Sequence, residues 1–205
     1  TRIRVFNDRS IEVEDFGRGV PLGWNEAEGR WNWDLIYCEL YAGGKYENNS
    51  GKSAYEYSLG LNGLGACATQ YSSEYMTVHS YDGATERSIS FRRGEVQGEL
   101  QERPLGKKEA GRTGTVVHWK PDLEVFTDIN IPHSFFEDIL RRQSVVNAGI
   151  RFVLFLEQED GSFNEQSFCY ENGITDYLAE LVGTSSLTVP VSWHLETQGR
   201  DRADK

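Results

Sequence analysis

The feature that most constrains this chain is a period-two alternation of apolar and polar residues that keeps returning along it. Arg2-Ile3-Arg4-Val5-Phe6 and Ser10-Ile11-Glu12-Val13-Glu14-Asp15 show it first, on either side of Asn7-Asp8-Arg9, and read as a hairpin with one buried face. Further strands are expected at 74–81, 86–94, 94–102 and 113–121, the last stopped by Pro121, and in a hairpin of 151–159 with 164–170 that turns at Asp160-Gly161. Helical spacing appears only at 31–40, with Ala42-Gly43-Gly44 as its stop, at 134–148, at 174–181, and in a small-residue stretch beginning near Gly63. Strands in succession with helices bunched between them indicate an α+β layered domain rather than a doubly wound parallel sheet.

At 205 residues the chain fits one domain with a substantial core. Its 21 basic against 32 acidic residues give a formal charge of −11, which disfavours attraction to a phosphate backbone or an anionic membrane over most of the surface. Cys38, Cys67 and Cys169 are odd in number and far apart, which points to reduced thiols rather than a disulfide framework or zinc site. No signal peptide or spanning apolar run is visible, and a cytoplasmic domain is expected. Asn48-Asn49-Ser50 matches a glycosylation sequon, which has no meaning without secretion. The chain begins inside a strand, so an upstream segment is expected, and the tail Arg200-Asp201-Arg202-Ala203-Asp204-Lys205 reads as polar and unstructured.

Several chemistries can be set aside. Gly51-Lys52-Ser53 lacks the earlier glycine of a P-loop, where Tyr46 stands, and Gly60-Leu61-Asn62-Gly63-Leu64-Gly65 has the wrong spacing for a dinucleotide fingerprint. His79, His118, His133 and His194 are scattered without metal-ligand spacing, and no G-x-S-x-G marks a serine nucleophile. The charged loop at 103–112 reads most simply as a solvated connection. The glycines that open the helix near Gly63 leave two readings: close packing on the sheet, or backbone amides that hold an anion. The turn Glu14-Asp15-Phe16-Gly17-Arg18-Gly19-Val20-Pro21 leaves two as well. It is either a tight turn capped by its own aspartate, or an acid that faces a cavity while glycines let backbone approach a ligand.

The order of these pieces resembles the ATPase domain of type IIA DNA topoisomerases, the ATP-binding subunits of bacterial DNA gyrase and topoisomerase IV, within the GHKL superfamily. Asp15-Phe16-Gly17-Arg18-Gly19-Val20-Pro21 is similar to D-x-G-R-G-I-P, Tyr41-Ala42-Gly43-Gly44-Lys45-Tyr46 to H-A-G-G-K-F, and Leu59-Gly60-Leu61-Asn62-Gly63-Leu64-Gly65-Ala66 to G-G-L-H-G-V-G-A. Gly114-Thr115-Val116-Val117 with Lys120-Pro121-Asp122 and Phe126 is similar to G-T-x-V-x-F-x-P-D-x-x-I-F. The glycine motifs mark only the superfamily, while A-G-G-K with the G-T strand marks the topoisomerase branch and argues against MutL-like or chaperone members.

The resemblance implies a two-layer sandwich, with a mixed, mostly antiparallel sheet and helices on one face (the GHKL or Bergerat-type ATPase fold). It further implies an ATP-binding domain over 1–190, with 191–205 starting the link to a transducer domain. It makes Asp15 the acceptor for the adenine amino group, with Thr115 assisting through hydroxyl and water, and Gly17 and Gly19 a thin pocket wall. Arg18 and Pro21 would line the mouth, where competitive inhibitors such as aminocoumarins bind. Residues 45–59 would form a lid carrying Tyr55 near adenine, and Lys45 with the amides around Leu61, Asn62, Gly63, Leu64 and Gly65 would hold the phosphates. ATP and Mg2+ are the implied cofactors. The implied partners are DNA, through other domains, and a DNA-cleaving subunit assembled with a homodimer.

Phe16, Leu59 and Asn62 depart from the family, which usually has a polar residue, a glycine and a histidine there. The resemblance puts the catalytic glutamate and magnesium-binding asparagine on a helix expected upstream of Thr1. No catalytic or metal residue is therefore expected within the chain, and little hydrolysis from it alone. A nucleotide-binding sensor or scaffold of the same fold, without hydrolysis, is the alternative reading, and an upstream E-x-x-x-N helix would exclude it.

Overall fold

The computed structural model describes residues 1–42, 63–185, 187, 188, 191, 193 and 195. Strands β1 (Arg2–Val5) and β2 (Ile11–Glu14) form the expected hairpin, with Ile3, Val5 and Ile11 buried. Its turn closes with the Arg9 amide on the Phe6 carbonyl, and Arg9 adopts a positive φ of 72°. A two-strand hairpin follows, β3 (Trp24–Asn25) and β4 (Arg30–Trp31), which sequence periodicity does not reveal because each strand has only two residues. Helix α1 (Asn32–Tyr37) is shorter than the 31–40 expected: Trp31 belongs to β4, and Tyr41 turns at φ 62° before the glycines.

Helix α2 (Gly65–Tyr71) begins two residues later than expected, after Gly63 at φ 60°. It leads into the long strands β5 (Ser73–Asp82) and β6 (Thr85–Arg92). The stretch 94–102, expected as one strand, is instead β7 (Glu95–Val96) and the start of β8 (Gln101–Pro104). Both pair with β6, and Gly98 between them takes a positive φ of 78°. β9 (Thr113–Pro121), helix α3 (His133–Val146), β10 (Phe152–Glu157), β11 (Phe163–Phe168) and helix α4 (Ile174–Val182) stand close to where the patterns put them.

The sheet runs β11-β10-β1-β2-β9-β5-β6-β7, with β8 also on β6. β1 and β10 pair in parallel and the other neighbours antiparallel. The architecture is thus α+β with a mixed, mostly antiparallel sheet. Two apolar clusters cover its inner face. Leu140 and Phe136 of α3 pack with Ile3, Val5, Ile11, Leu154 and Leu156; Ile36 and Tyr37 of α1 pack with Leu22, Met76, Val78, Ile89 and Phe91. Trp119 touches both. Alternation along β1, β2 and β5 therefore sends Arg2, Arg4, Glu12, Glu14, His79 and Tyr81 to the opposite face.

Candidate nucleotide site

Three strand ends converge on the turn that follows β2. The Asp15 amide donates to the Thr115 carbonyl at 2.9 Å, extending the β2–β9 ladder one residue past Glu14. The Val20 amide donates to Thr115 Oγ1 at 3.1 Å, and Ser80 Oγ donates to the Val20 carbonyl at 2.7 Å, so β9 and β5 each hold the far side of the loop. Leu22, 1% exposed, anchors the exit in the second apolar cluster.

Close backbone approach is built in at two glycines. A Cβ on Gly114, which has φ 121°, would stand 2.1 Å from the Asp15 carbonyl oxygen. One on Gly19, at φ 85°, would stand 2.5 Å from the Tyr81 carbonyl oxygen. Neither position tolerates a side chain without displacing backbone.

The Asp15 side chain is partly buried and oriented locally. Oδ1 accepts the Gly17 amide at 2.8 Å, the bond expected of an aspartate-capped turn. The structure shows the first reading of the turn, the aspartate that caps its own bend, and at Gly19 and Gly114 the close approach is of backbone to backbone. A carboxylate offers only acceptors, so with Oδ1 on Gly17 its remaining acceptor capacity suits an amino group.

Of the sequence-predicted residues, the structure brings Asp15, Gly17, Gly19 and Thr115 together. Arg18 and Pro21 lie exposed in the same turn. Gly63, Leu64 and Gly65 precede and open α2, which packs on α1 and β5, so α2 and the back of the turn share β5. Lys45, Tyr55, Leu61 and Asn62 lie outside the described residues. Phe16, where a polar residue was expected, is 53% exposed, with the Arg2 guanidinium 5.0 Å from its ring centre.

Sequence reasoning missed Ser80 and Gly114 as site residues. Ser80 was detectable as a polar residue in the inward register of Met76 and Val78. Loop 103–112 is more than the solvated connection expected: Arg103 pairs with Glu86 and Glu109, and Arg112 lies 3.8 Å over the Tyr81 ring while bonding Glu14. Burial is the foremost cause that raises the Tyr81 phenol, which donates to Glu86 at 3.3 Å. Among the described residues, no group of three or more His, Cys, Asp or Glu side chains could hold a metal ion.

Comparison with known proteins gives the arrangement its relatives. The DNA gyrase B protein of Thermus thermophilus is 34% identical over 179 residues, 87% of this chain and 27% of the relative; the DNA topoisomerase 4 B protein of Escherichia coli is 33% identical over 175, covering 85% and 26%. The crystal structure of the 43K ATPase domain of Thermus thermophilus gyrase B in complex with an aminocoumarin superposes with a TM-score of 0.71 at 27% identity, over 89% of this chain and 43% of that one. Over most of its length the chain is similar to these gyrase B and topoisomerase 4 B proteins and to the gyrase B ATPase domain.

The topoisomerase IV ATP-binding domain of Francisella tularensis, in complex with a small-molecule inhibitor, has the same fold, with a TM-score of 0.71 at 21% identity over 97% of this chain and 49% of that one. No protein-family model matches the chain. The chain spans about a quarter of the length of the curated relatives it matches. The sheet and its helices therefore have the fold of these ATPase domains.

Proposed function

We propose that this chain is the ATP-binding part of the ATPase domain of a bacterial type II DNA topoisomerase, in which ATP binding and hydrolysis drive DNA strand passage elsewhere in the protein. The observation that carries the reading is the Asp15 junction. An acceptor-only side chain is fixed through Gly17 and set between glycines that cannot carry a Cβ, in a fold shared with an ATPase domain crystallised with an aminocoumarin.

In this reading Asp15 accepts the adenine amino group, and a purine with a carbonyl there would leave the carboxylate unpaired. Thr115 holds the loop through Val20 and offers its hydroxyl beside the base. Gly17 and Gly19 thin the wall, and Arg18 and Pro21 form the mouth that competitive inhibitors occupy. Lys45, Tyr55 and the backbone of Leu61, Asn62, Gly63, Leu64 and Gly65 are assigned to the lid and phosphates by resemblance alone.

The acceptor-only carboxylate of Asp15 suits the adenine amino group of ATP. For Mg2+ the described residues supply no cluster, and none is assigned to it. Bound Mg2+ would neutralise charge on the phosphates. The catalytic glutamate and the metal-binding asparagine are expected on a helix upstream of Thr1, so these residues alone should show no Mg2+-dependent turnover. Residues 1–190 form the nucleotide-binding unit and 191–205 begin the link to a transducer. The full protein is a cytoplasmic homodimer that works with a DNA-cleaving subunit and meets DNA through other domains. Its test is an ATP-dependent supercoiling or decatenation assay on the full-length protein with its partner subunit. Topological change that requires ATP and is lost in Asp15→Asn supports the reading, and strand passage indifferent to ATP contradicts it.

A further inference from the structure

We propose that Glu14 and Arg112 form a clasp on the outer face of the sheet that positions the Asp15 carboxylate for the adenine amino group. This inference rests on the nucleotide-site reading above. Glu14 immediately precedes Asp15 and is buried on the face opposite the apolar core, 7% exposed. Arg112 donates from Nη2 to Glu14 Oε1 at 3.0 Å, and its guanidinium carbon stands 3.8 Å from the Tyr81 ring centre. The Arg112 carbonyl accepts the Gly83 amide at 2.9 Å. One residue therefore ties the end of β2, the start of β9 and the end of β5. Arg2 and Arg4 steady the carboxylate from the other side, 3.5 and 3.6 Å from Glu14 Oε2.

The need for such a clasp follows from the row it covers. Cross-strand side-chain pairs stabilise a sheet locally, and the outer-face row of Tyr81 and Gly114 has none between β5 and β9, because a Cβ on Gly114 would meet the Asp15 carbonyl. There β2 and β9 are joined by the Asp15 amide on the Thr115 carbonyl, one residue past the end of a four-residue strand. Arg112 stacks on Tyr81, the register partner of Gly114, and so fills the place of the missing cross-strand partner in that row. Hydrogen bonds weaken steeply with misalignment, and a loosened Asp15 would lose the amino group before the chain lost its fold. The clasp borders a polar cleft of about 380 Å³ lined in part by Arg4, His79 and Glu86, so replacing Arg112 opens no void in the apolar core.

The test compares ADP with purine riboside diphosphate, which lacks the amino group, by calorimetric titration of wild type, Arg112→Met, Arg112→Lys, Glu14→Gln and Asp15→Asn. Arg112→Met and Glu14→Gln should each weaken ADP roughly tenfold while leaving the analogue nearly unchanged. Arg112→Lys, which keeps the charge, should recover much of the loss. Equal weakening of both nucleotides, or an unchanged preference for ADP in the two clasp variants, overturns the positioning role. If Arg112→Met does not fold, the selectivity of Glu14→Gln decides. Asp15→Asn separates the levels: if it removes the preference and the clasp variants do not, only the clasp is wrong. If wild type has no preference, or Asp15→Asn retains it, the nucleotide reading fails and the clasp with it.

Discussion

Single residues decide the chemistry of the turn. Gly114 and Gly19 each combine a left-handed φ with a backbone contact that a Cβ would violate. Gly114→Ala should therefore cost about 3 kcal/mol from strain and overpacking together. That is a fall of about 10 °C in the melting temperature of a domain this size, measurable by calorimetry. Gly161→Ala is strained by its positive φ but meets no atom within 4 Å, so its loss should be smaller. At this scale the glycines of the turn could be read from the residues, Asp15 and Thr115 were picked out through the family resemblance, and the structure brings the four close together. Glu14 and Arg112 could not. Their roles depend on which face of a strand or which partner they meet, and in linear order Arg112 is one charge in a polar loop.

At the scale of elements, long periodic segments were legible and short ones were not. β9 stands where its alternation put it, whereas β3 and β4 have too few residues to show a period, and 94–102 breaks because Gly98 turns the chain away from β6. The α1–α2 layer gives a pH-dependent prediction. Cys38, at the C-terminal end of α1, has its thiol pushed up to about 12, foremost by burial, and burial likewise raises Cys67 in α2. The folded chain keeps the Cys38 proton when an unfolded thiol, near 9.0, has lost it. The linked stability is therefore complete below pH 9 and lost as pH rises toward about 12. At about pH 8, iodoacetamide should label Cys38 and Cys67 far more slowly in the native chain than in denaturant, as mass spectrometry would read. In the first apolar cluster Leu154, fully buried on β10, is central. Leu154→Ala should cost about 3 kcal/mol in a denaturant titration without altering strand order.

For the whole molecule, the charge of −11 decides what to expect with nucleic acid. This chain should not retard duplex DNA in a gel at roughly 0.15 M salt, where non-specific binding depends on phosphate neutralisation. Retardation that fell steeply with salt would put a DNA contact in this domain. Whether Asp15 reads adenine is decided by calorimetric titration of wild type and Asp15→Asn with ADP. The Gly17 amide needs an acceptor, so the asparagine would keep its oxygen there and turn its NH2 toward the base, donor against donor. We expect binding to weaken by about thirtyfold or more, with the fold intact. A folded Asp15→Asn chain that binds ADP as tightly as wild type would mean that Asp15 does not read adenine.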